Sequence, residues 1–199
     1  MKVREFLAYW RKLGGGRCVP AKRDFAPMQL KTLLGSTMIL HDEDGAIRFR
    51  LVGDYVHTFF SKAAVGARFA ESTLIREEGE AWDELFHQAM LRGTGFFVEA
   101  VLTNGRHDFG AVKGLCLPFA VDGHDKAMMV CSLEMTGINQ AWAKLEEGQN
   151  RLKIQAVTII PSPETLSFSD LGAKTRAYLK SRYRTPFGIR AIEELEKVI

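Results

Sequence analysis

A strand that ends at a glycine and passes directly into a short apolar helix restricts the fold of this chain more than any other feature. Residues 48–53 read Arg-Phe-Arg-Leu-Val-Gly, and Phe49 and Leu51 recur with the period of two typical of a strand with one buried face. Glycine adopts backbone angles that a side chain forbids, so Gly53 allows a sharp turn into the helix. A strand and a helix joined in this way form a concave corner, which the rest of the chain is expected to close into a pocket.

The size and composition are typical of a soluble globular protein. The chain has 199 residues, of which 46% are hydrophobic and 26% charged, and is long enough to bury a core. No apolar run approaches the roughly 20 residues that span a bilayer, and the N-terminus lacks the apolar core of a signal peptide. The cysteines Cys18, Cys116 and Cys131 form no Cys-x-x-Cys motif, which argues against a disulfide framework or a zinc knuckle. We therefore expect a cytoplasmic protein without a membrane span.

The net charge of +3 is distributed unevenly along the chain. Residues 1–31 carry eight Lys or Arg against two acids, residues 32–160 carry twelve against seventeen, and residues 161–199 carry seven against five. One interpretation is that the basic ends are solvated helix faces. The other is that one end contacts an acidic partner, a nucleic acid or a membrane surface.

The first half of the chain predicts a helix, a hairpin and a long second helix. Apolar residues on one stripe of an N-terminal helix end at three glycines, and the strands at 37–41 and 46–52 are joined by a tight turn. The long helix is expected from Thr73 to Arg92, with Ser72 as its N-cap and Gly93 as its stop.

Three consecutive strands follow, at 96–103, 106–121 and 126–135, joined by Asn-Gly and Asp-Gly turns. Tight turns make these strands an antiparallel meander. One face is expected to carry Ala127, Met129, Cys131 and Leu133 toward the crossing helices, and Val130 lies on the other face, for which the N-terminal helix is the natural cover. The element order predicts an α+β fold with a five-stranded antiparallel sheet and helices on one face, the arrangement of a PAS sensor domain.

Specific residues also resemble a PAS-like family of short proteins common in alphaproteobacteria. The resemblance covers roughly residues 5 to 135 and rests on Tyr9-Trp10, Gly16-Arg17, Pro20, Arg23-Asp24, Pro27, Leu33-Leu34, residues 48–53, Phe59-Phe60, Gly66 and Leu117-Pro118-Phe119. It implies the same five-stranded sheet and a sensory or regulatory role. Two positions depart from the family: Phe25-Ala26 stands where an Ile-Asp pair is usual, and the glycine that often follows the Phe pair is missing.

Residues 137–199 are expected to form a mostly helical extension to a domain of residues 1–136. Ile138, Trp142 and Leu145 share a helical stripe, and residues 152–160 alternate like a strand, although residues 152–154 are also compatible with a continued helix. Residues 172–190 carry six basic side chains and no acid. A last helix is predicted to begin at Thr185-Pro186. This helix is acidic, whereas the recognition helix of a helix-turn-helix is basic.

The sequence contains no recognisable catalytic or metal-binding motif. The five histidines are scattered, and the Gly-x-Ser-x-Gly and phosphate-loop patterns are absent. Cys116 and Cys131 lie in predicted strands and are interpreted as small buried hydrophobes rather than redox sensors. His107 lies beside a hairpin turn and is interpreted as a surface residue rather than a haem ligand. We therefore predict a non-enzymatic protein with no identified cofactor; an enzyme would need a reactive pair inside the cavity.

The predicted pocket is aromatic and apolar. Its candidate residues are Phe59, Phe60, Phe69, Trp82, Phe86, Phe97, Leu117, Cys131 and Leu133, which form either a filled core or a small ligand cavity. Phe6 and Trp10 are the candidates for a homodimer seam or a docking surface.

The predicted function is a PAS-type sensory or regulatory protein that binds a small molecule or a partner protein and signals through its flanking helices. The alternative is a nucleic-acid-binding regulator that acts through residues 172–190. Its binding should weaken steeply with added salt.

Overall fold

The computed structural model describes residues 2–15, 19–59, 64–72, 78–104, 106–120, 128–139, 151–160, 171–182 and 188–189. The helices and strands in chain order are α1 (Lys2–Gly14), β1 (Thr37–Glu43), β2 (Ala46–Val52), α2 (Asp54–Phe59), α3 (Gly79–Leu91), β3 (Gly95–Thr103), β4 (Asp108–Phe119), β5 (Met128–Thr136), β6 (Arg151–Ile160), α4 (Ala173–Arg182) and β7 (Gly188–Ile189). Short 3-10 helices occupy Lys22–Asp24, Pro27–Ser36 and Phe69–Glu71.

The strands form a single sheet in the order β2-β1-β5-β4-β3-β6-β7. Neighbouring strands are antiparallel except for β6 and β7, which are parallel. The N-terminal hairpin and the meander belong to one sheet because β1 pairs with β5, with Thr37 opposite Ser132 and Leu40 opposite Met129. The α+β class with an antiparallel sheet is therefore confirmed.

The sheet has seven strands rather than the predicted five. Residues 151–160 form β6, which pairs with β3 from Arg151 to Ile160, so the alternating pattern there is that of a strand and not of a continued helix. The predicted boundary at residue 136 falls between β5 and β6, two strands of this sheet. Most of the predicted C-terminal helical stretches, including Trp142 and the helix after Thr185, lie outside the described residues.

The alternation of side chains divides the core between the two faces of the sheet. Met129, Cys131 and Leu133 lie on the face that α3 covers, as predicted, whereas Val130 lies on the other face. The helix α1 and the 3-10 helix Pro27–Ser36 pack on that second face. The side chains that cover it are Val3, Phe6, Leu7, Trp10, Leu30 and Leu33.

Phe6 and Trp10 are consequently not available for a contact with a second copy of the chain. Phe6 is fully buried and Trp10 is 5% exposed. The indole Nε1 of Trp10 donates a hydrogen bond of 2.9 Å to the carbonyl oxygen of Pro118 on β4. The amphipathic stripe of α1 packs on the sheet of its own chain, so the proposed dimer seam at these two residues is wrong.

The helix α3 begins later than predicted, at Gly79 rather than Thr73, and its N-cap is Glu78 rather than Ser72. Ser72 instead follows the 3-10 helix Phe69–Glu71 and is buried. The first turn of α3 lies directly against that 3-10 helix, because a Cβ atom at Gly79 would lie 2.7 Å from the Cα of Ala70. Residues 73–77 lie outside the described part of the chain.

Gly53 is required for space rather than for unusual backbone angles. Its φ lies outside the left-handed region, which corrects the prediction that its conformational freedom makes the turn. A Cβ atom there would lie 2.6 Å from the carbonyl carbon of Gly35 and closer still to the carbonyl oxygen of Leu34. The amide of Gly53 donates to the oxygen of Thr37 at 2.8 Å, and its own oxygen accepts from the amide of His57 at the start of α2. Two backbone segments therefore cross at van der Waals contact at this corner.

Replacing Gly53 with alanine should destabilise the fold by about 3 kcal/mol or more, because the new methyl group overlaps backbone atoms that cannot rotate away. Urea denaturation measures the change. Gly35→Ala is the matched control, because a Cβ atom at Gly35 meets no atom within 4 Å; its effect should stay within about 0.5 kcal/mol. Equal effects of the two substitutions would show that the crossing at Gly53 is not tight.

Candidate functional site

A small cavity lies between α3 and the sheet, on the face opposite α1. Its volume is about 40 Å³. The roof comes from the 3-10 helix Phe69–Glu71 and from α3, and the floor from β1, β3, β4, β5 and β6. The lining residues are all apolar: Met38, Phe69, Trp82, Phe86, Val98, Ala100, Val112, Gly114, Cys116, Leu133, Leu152 and Ile154.

The cavity exists because small residues on the floor face bulky rings in the roof. Ala100 on β3 and Gly114 on β4 supply little side-chain volume beneath α3. The roof ring of Phe86 packs against the roof ring of Phe69 and against Phe96 on β3, with 5.0 Å between ring centroids in each pair and tilted or edge-on geometry. Such aromatic pairs add packing energy beyond burial, so the roof resists collapse onto the floor.

The chemistry of the lining defines what the cavity can hold. A water molecule needs about 10–15 Å³ and two or more polar partners, and the space offers volume without such partners. An apolar surface of this kind favours apolar guests. The arrangement therefore suits an uncharged molecule of a few atoms, not a large cofactor.

Four of the nine predicted pocket residues line the cavity. These are Phe69, Trp82, Phe86 and Leu133. Cys131 lies on the same face of the sheet without lining the cavity. The side chain of Phe59 and the whole of Phe60 lie outside the described part of the chain.

Phe97 and Leu117 were assigned to the wrong face of the sheet. Both pack in the cluster beneath α1, while their neighbours Phe96 and Cys116 face α3. Adjacent residues of a strand point to opposite faces of the sheet. Choosing one of two neighbouring apolar residues as a pocket residue therefore also decides which sheet face is predicted to carry the pocket. The turn between β3 and β4 sets this register: the side chain of Asn104 accepts hydrogen bonds from the amides of Arg106 and His107.

Sequence reasoning missed the floor of the cavity. Val98, Ala100, Val112, Gly114 and Cys116 come from β3 and β4, whose alternation could have identified them once one residue was placed. Leu152 and Ile154 lie in a stretch that alternates like a strand, but their place beside the cavity, like that of Met38, depends on which strands pair.

Two side-chain contacts outside the cavity connect α3 with the residues around the N-terminal hairpin. Arg68, whose backbone bridges to Arg48 of β2, pairs with Asp83 on α3 at 3.1 Å. His87, one turn further along α3, pairs through Nδ1 with Asp42 at the end of β1. Burial raises the pKa of Asp83 above its ordinary value, and the neighbouring Arg68 guanidinium opposes that rise. The Asp42 and His87 pair joins residues far apart in the sequence and had no sequence signal.

The outer side of α3 holds the start of α4. The carboxylate of Glu84 accepts hydrogen bonds from the amide of Gly172 and the hydroxyl of Thr175. Leu171 and Thr175 are only 1% and 2% exposed, so the first turn of α4 is packed against α3. A carboxylate at the N-terminus of a helix satisfies free amides and complements the helix dipole. Glu84 therefore couples α3 to the C-terminal segment.

Among the remaining candidates for chemistry, His41 and His107 lie apart, whereas Cys116 and Cys131 are directly opposite each other on β4 and β5. His107 is exposed in the turn between β3 and β4, and His41 lies near Arg50 at 3.3 Å. No group of three or more His, Cys, Asp or Glu side chains in the described part of the chain is placed to hold a metal ion. Cys116 and Cys131 are both buried, and burial together with contact with Cys116 raises the pKa of the Cys131 thiol well above its ordinary value.

The first five strands lie in the order 2-1-5-4-3, and α3 covers an apolar cavity on one face of this α+β domain. The family model described as PAS domain matches residues 1–134, and the chain belongs to that family. Membership supports a sensory or regulatory role, since PAS domains are generally sensory modules. No curated protein and no solved structure matches the chain. Each helix among the described residues is too short or too polar to cross a lipid bilayer.

Substituting Asp83→Asn should remove a pH dependence of stability. The pKa of Asp83 is raised in the folded state, so the folded protein holds this proton more tightly than the unfolded chain does. The group's contribution to the free energy of unfolding is therefore highest in acid, and it falls as the pH rises from the unfolded pKa through the folded pKa. Urea denaturation between about pH 4 and pH 7 measures this slope.

The exposed Asp44→Asn variant is the control for this slope and should retain it. Asp44 adopts a left-handed conformation, which asparagine tolerates. A wild-type slope in the Asp83→Asn variant would show that the buried carboxyl does not titrate in this range.

Proposed function

We propose that this chain is a non-enzymatic sensory module that takes a small apolar molecule into the cavity beneath α3 and transmits its presence through α4. The observation that carries the proposal is the position of α3. One side of this helix roofs an apolar cavity through Trp82 and Phe86, and the other side holds the first turn of α4 through Glu84.

The ligand class follows from the lining. The described lining residues turn only apolar surface toward the cavity, and burying a charged or strongly polar molecule without partners costs free energy. A dissolved diatomic gas or a short hydrocarbon gains dispersion contacts with the lining and loses little hydration. The cavity is small compared with the roughly 150 Å³ apolar cavity that binds benzene in an engineered protein, so the guest has few atoms.

The transmission step follows from the spacing of residues on α3. Trp82 and Phe86 are one turn apart on the inner face, and Glu84 lies between them in sequence on the outer face. A guest that binds one position of the roof better than another shifts the population of that position. A displacement of α3 moves Glu84 relative to Gly172 and Thr175, and so alters the cap of α4.

The sequence predictions of a homodimer, a protein partner and a cytoplasmic location stay predictions. The alternative of a nucleic-acid-binding regulator acting through residues 172–190 gains no support from α4, because the first turn of that helix docks on α3 beside Glu80 and Glu84. The sensory role is therefore the function that the geometry supports best.

Xenon tests the ligand class, because it is an uncharged, polarisable atom that binds apolar cavities. Xenon under pressure should shift the methyl NMR signals of Val98, Val112 and Leu133 in a saturable manner. The Ala100→Leu variant fills the floor of the cavity and should abolish saturation. Ala8→Leu on the exposed side of α1 is the matched control and should leave it intact. Saturable shifts that persist in Ala100→Leu would place the xenon site elsewhere.

The coupling of α3 to α4 is tested by hydrogen exchange of the α4 amides. Glu84→Ala removes both capping hydrogen bonds and should speed exchange in α4 about 5-fold, the equivalent of losing ~1 kcal/mol of helix capping. Glu80→Ala is the matched control, because its contact with Lys174 at 3.9 Å joins two exposed side chains and such pairs contribute little.

Xenon should change α4 exchange in the wild type and leave it unchanged in Glu84→Ala. If xenon occupies the cavity without any effect on α4, then the transmission step is wrong while the ligand class stands.

A further inference from the structure

Three sulfur-containing side chains lie in one row across the floor beneath α3. Met38 on β1 is directly opposite Cys131 on β5, and Cys131 is directly opposite Cys116 on β4. All three belong to the core cluster on the α3 side of the sheet, and none is more than 3% exposed. The row crosses three adjacent strands, although the residues are far apart in the sequence.

The strand register places the three side chains next to one another on one face of the sheet. Side chains directly opposite each other on antiparallel strands have Cβ atoms about 4.5–5.5 Å apart, so Cys131 adjoins both Met38 and Cys116. Met38 and Cys116 both line the cavity. The thioether of methionine sits on a flexible unbranched chain, which can bring Met38 over the neighbouring thiols.

The donor set and its surroundings select the type of ion. Thiol and thioether sulfurs are soft ligands that favour copper(I), and the cavity lining contains no imidazole, carboxylate or carbonyl side chain. A structural zinc ion takes four ligands in a tetrahedron, whereas the row supplies three. Calcium and magnesium require oxygen ligands. We propose that Met38, Cys116 and Cys131 form a binding site for copper(I) at the wall of the cavity.

The charge of the site is compatible with its apolar surroundings. Copper(I) replaces the proton of one thiol: the S–H bond of Cys116 breaks, a sulfur–copper bond forms, and the proton leaves to solvent. The site is neutral before and after this exchange, so no uncompensated charge is buried. The thiol of Cys131 and the thioether of Met38 act as neutral donors, and no oxidant or reductant takes part.

This site adds a second ligand chemistry to the cavity and does not rest on the proposed apolar guest. Xenon binding tests for free volume beneath α3, and copper binding tests the three sulfur ligands. A negative result in one experiment therefore leaves the other proposal unaffected.

Competition with bicinchoninate, a chromophoric copper(I) chelator, tests the proposal on the reduced full-length chain without oxygen. Copper(I) supplied as its acetonitrile complex should bind as a single ion per chain. Cys116→Ala and Cys131→Ala should each weaken binding about 100-fold, and Met38→Leu, which conserves side-chain volume, about 10-fold. Cys18→Ala and Met28→Leu are the matched controls, since Cys18 lies outside the described residues and Met28 is 78% exposed.

X-ray absorption of the copper-loaded protein should show sulfur as the first neighbour of copper. The proposal is overturned if Cys18→Ala abolishes binding, if Cys116→Ala and Cys131→Ala bind copper as tightly as the wild type, or if nitrogen and oxygen dominate the first shell. Met38→Leu keeps the test decisive if an alanine variant fails to fold, because it removes a donor without opening a cavity.

Discussion

The pairing of β1 with β5 is the contact on which the rest of the structure depends. It joins strands about ninety residues apart, with Met38 opposite Cys131 and Leu40 opposite Met129, and so merges the N-terminal hairpin with the meander. The merged sheet has two apolar faces, and each must be covered because exposed apolar surface is unfavourable in water. The positions of α1 and α3 follow from that requirement, and so does the crossing at Gly53, where the hairpin leads back beneath the 3-10 helix Pro27–Ser36.

The two faces of the sheet carry different side chains at their centres. Beneath α1, the large side chains of Phe97, Leu117 and Val130 belong to one core cluster with Phe6 and Trp10. On the α3 side, Ala100 and Gly114 leave the aromatic roof partly unsupported, and the cavity results. That same roof helix carries ion pairs to the hairpin and the cap of α4 on its outer side. The cavity and the contacts with the hairpin and with α4 thus all involve α3.

The predictions that the structure confirms rest on short-range patterns, and those that it corrects depend on contacts between distant segments. The strand and turn boundaries, and the face of Met129, Cys131 and Leu133, came from alternation and tight turns. Phe97 and Leu117 were predicted on the wrong face of the sheet, because the sequence of two neighbouring apolar residues does not show which of them faces α3. The apolar stripe of α1 is compatible with both the sheet cover and the dimer seam predicted for it, because an amphipathic stripe does not reveal which surface it packs against. The ambiguity at residues 152–154 was resolved only by pairing with β3.

By itself, the sequence determined most of the element types, the antiparallel meander, α1 as a cover for the sheet and the resemblance to PAS domains. Only the tertiary structure decided that the sheet extends through β6 and β7, that Gly53 is required because its backbone crosses Leu34 and Gly35, that Glu84 caps α4, and that Met38, Cys131 and Cys116 lie in one row. These features depend on which strands become neighbours. The strand pairing is selected because both faces of the sheet must be buried at the same time. This requirement involves the whole chain and leaves no pattern in any short stretch of sequence.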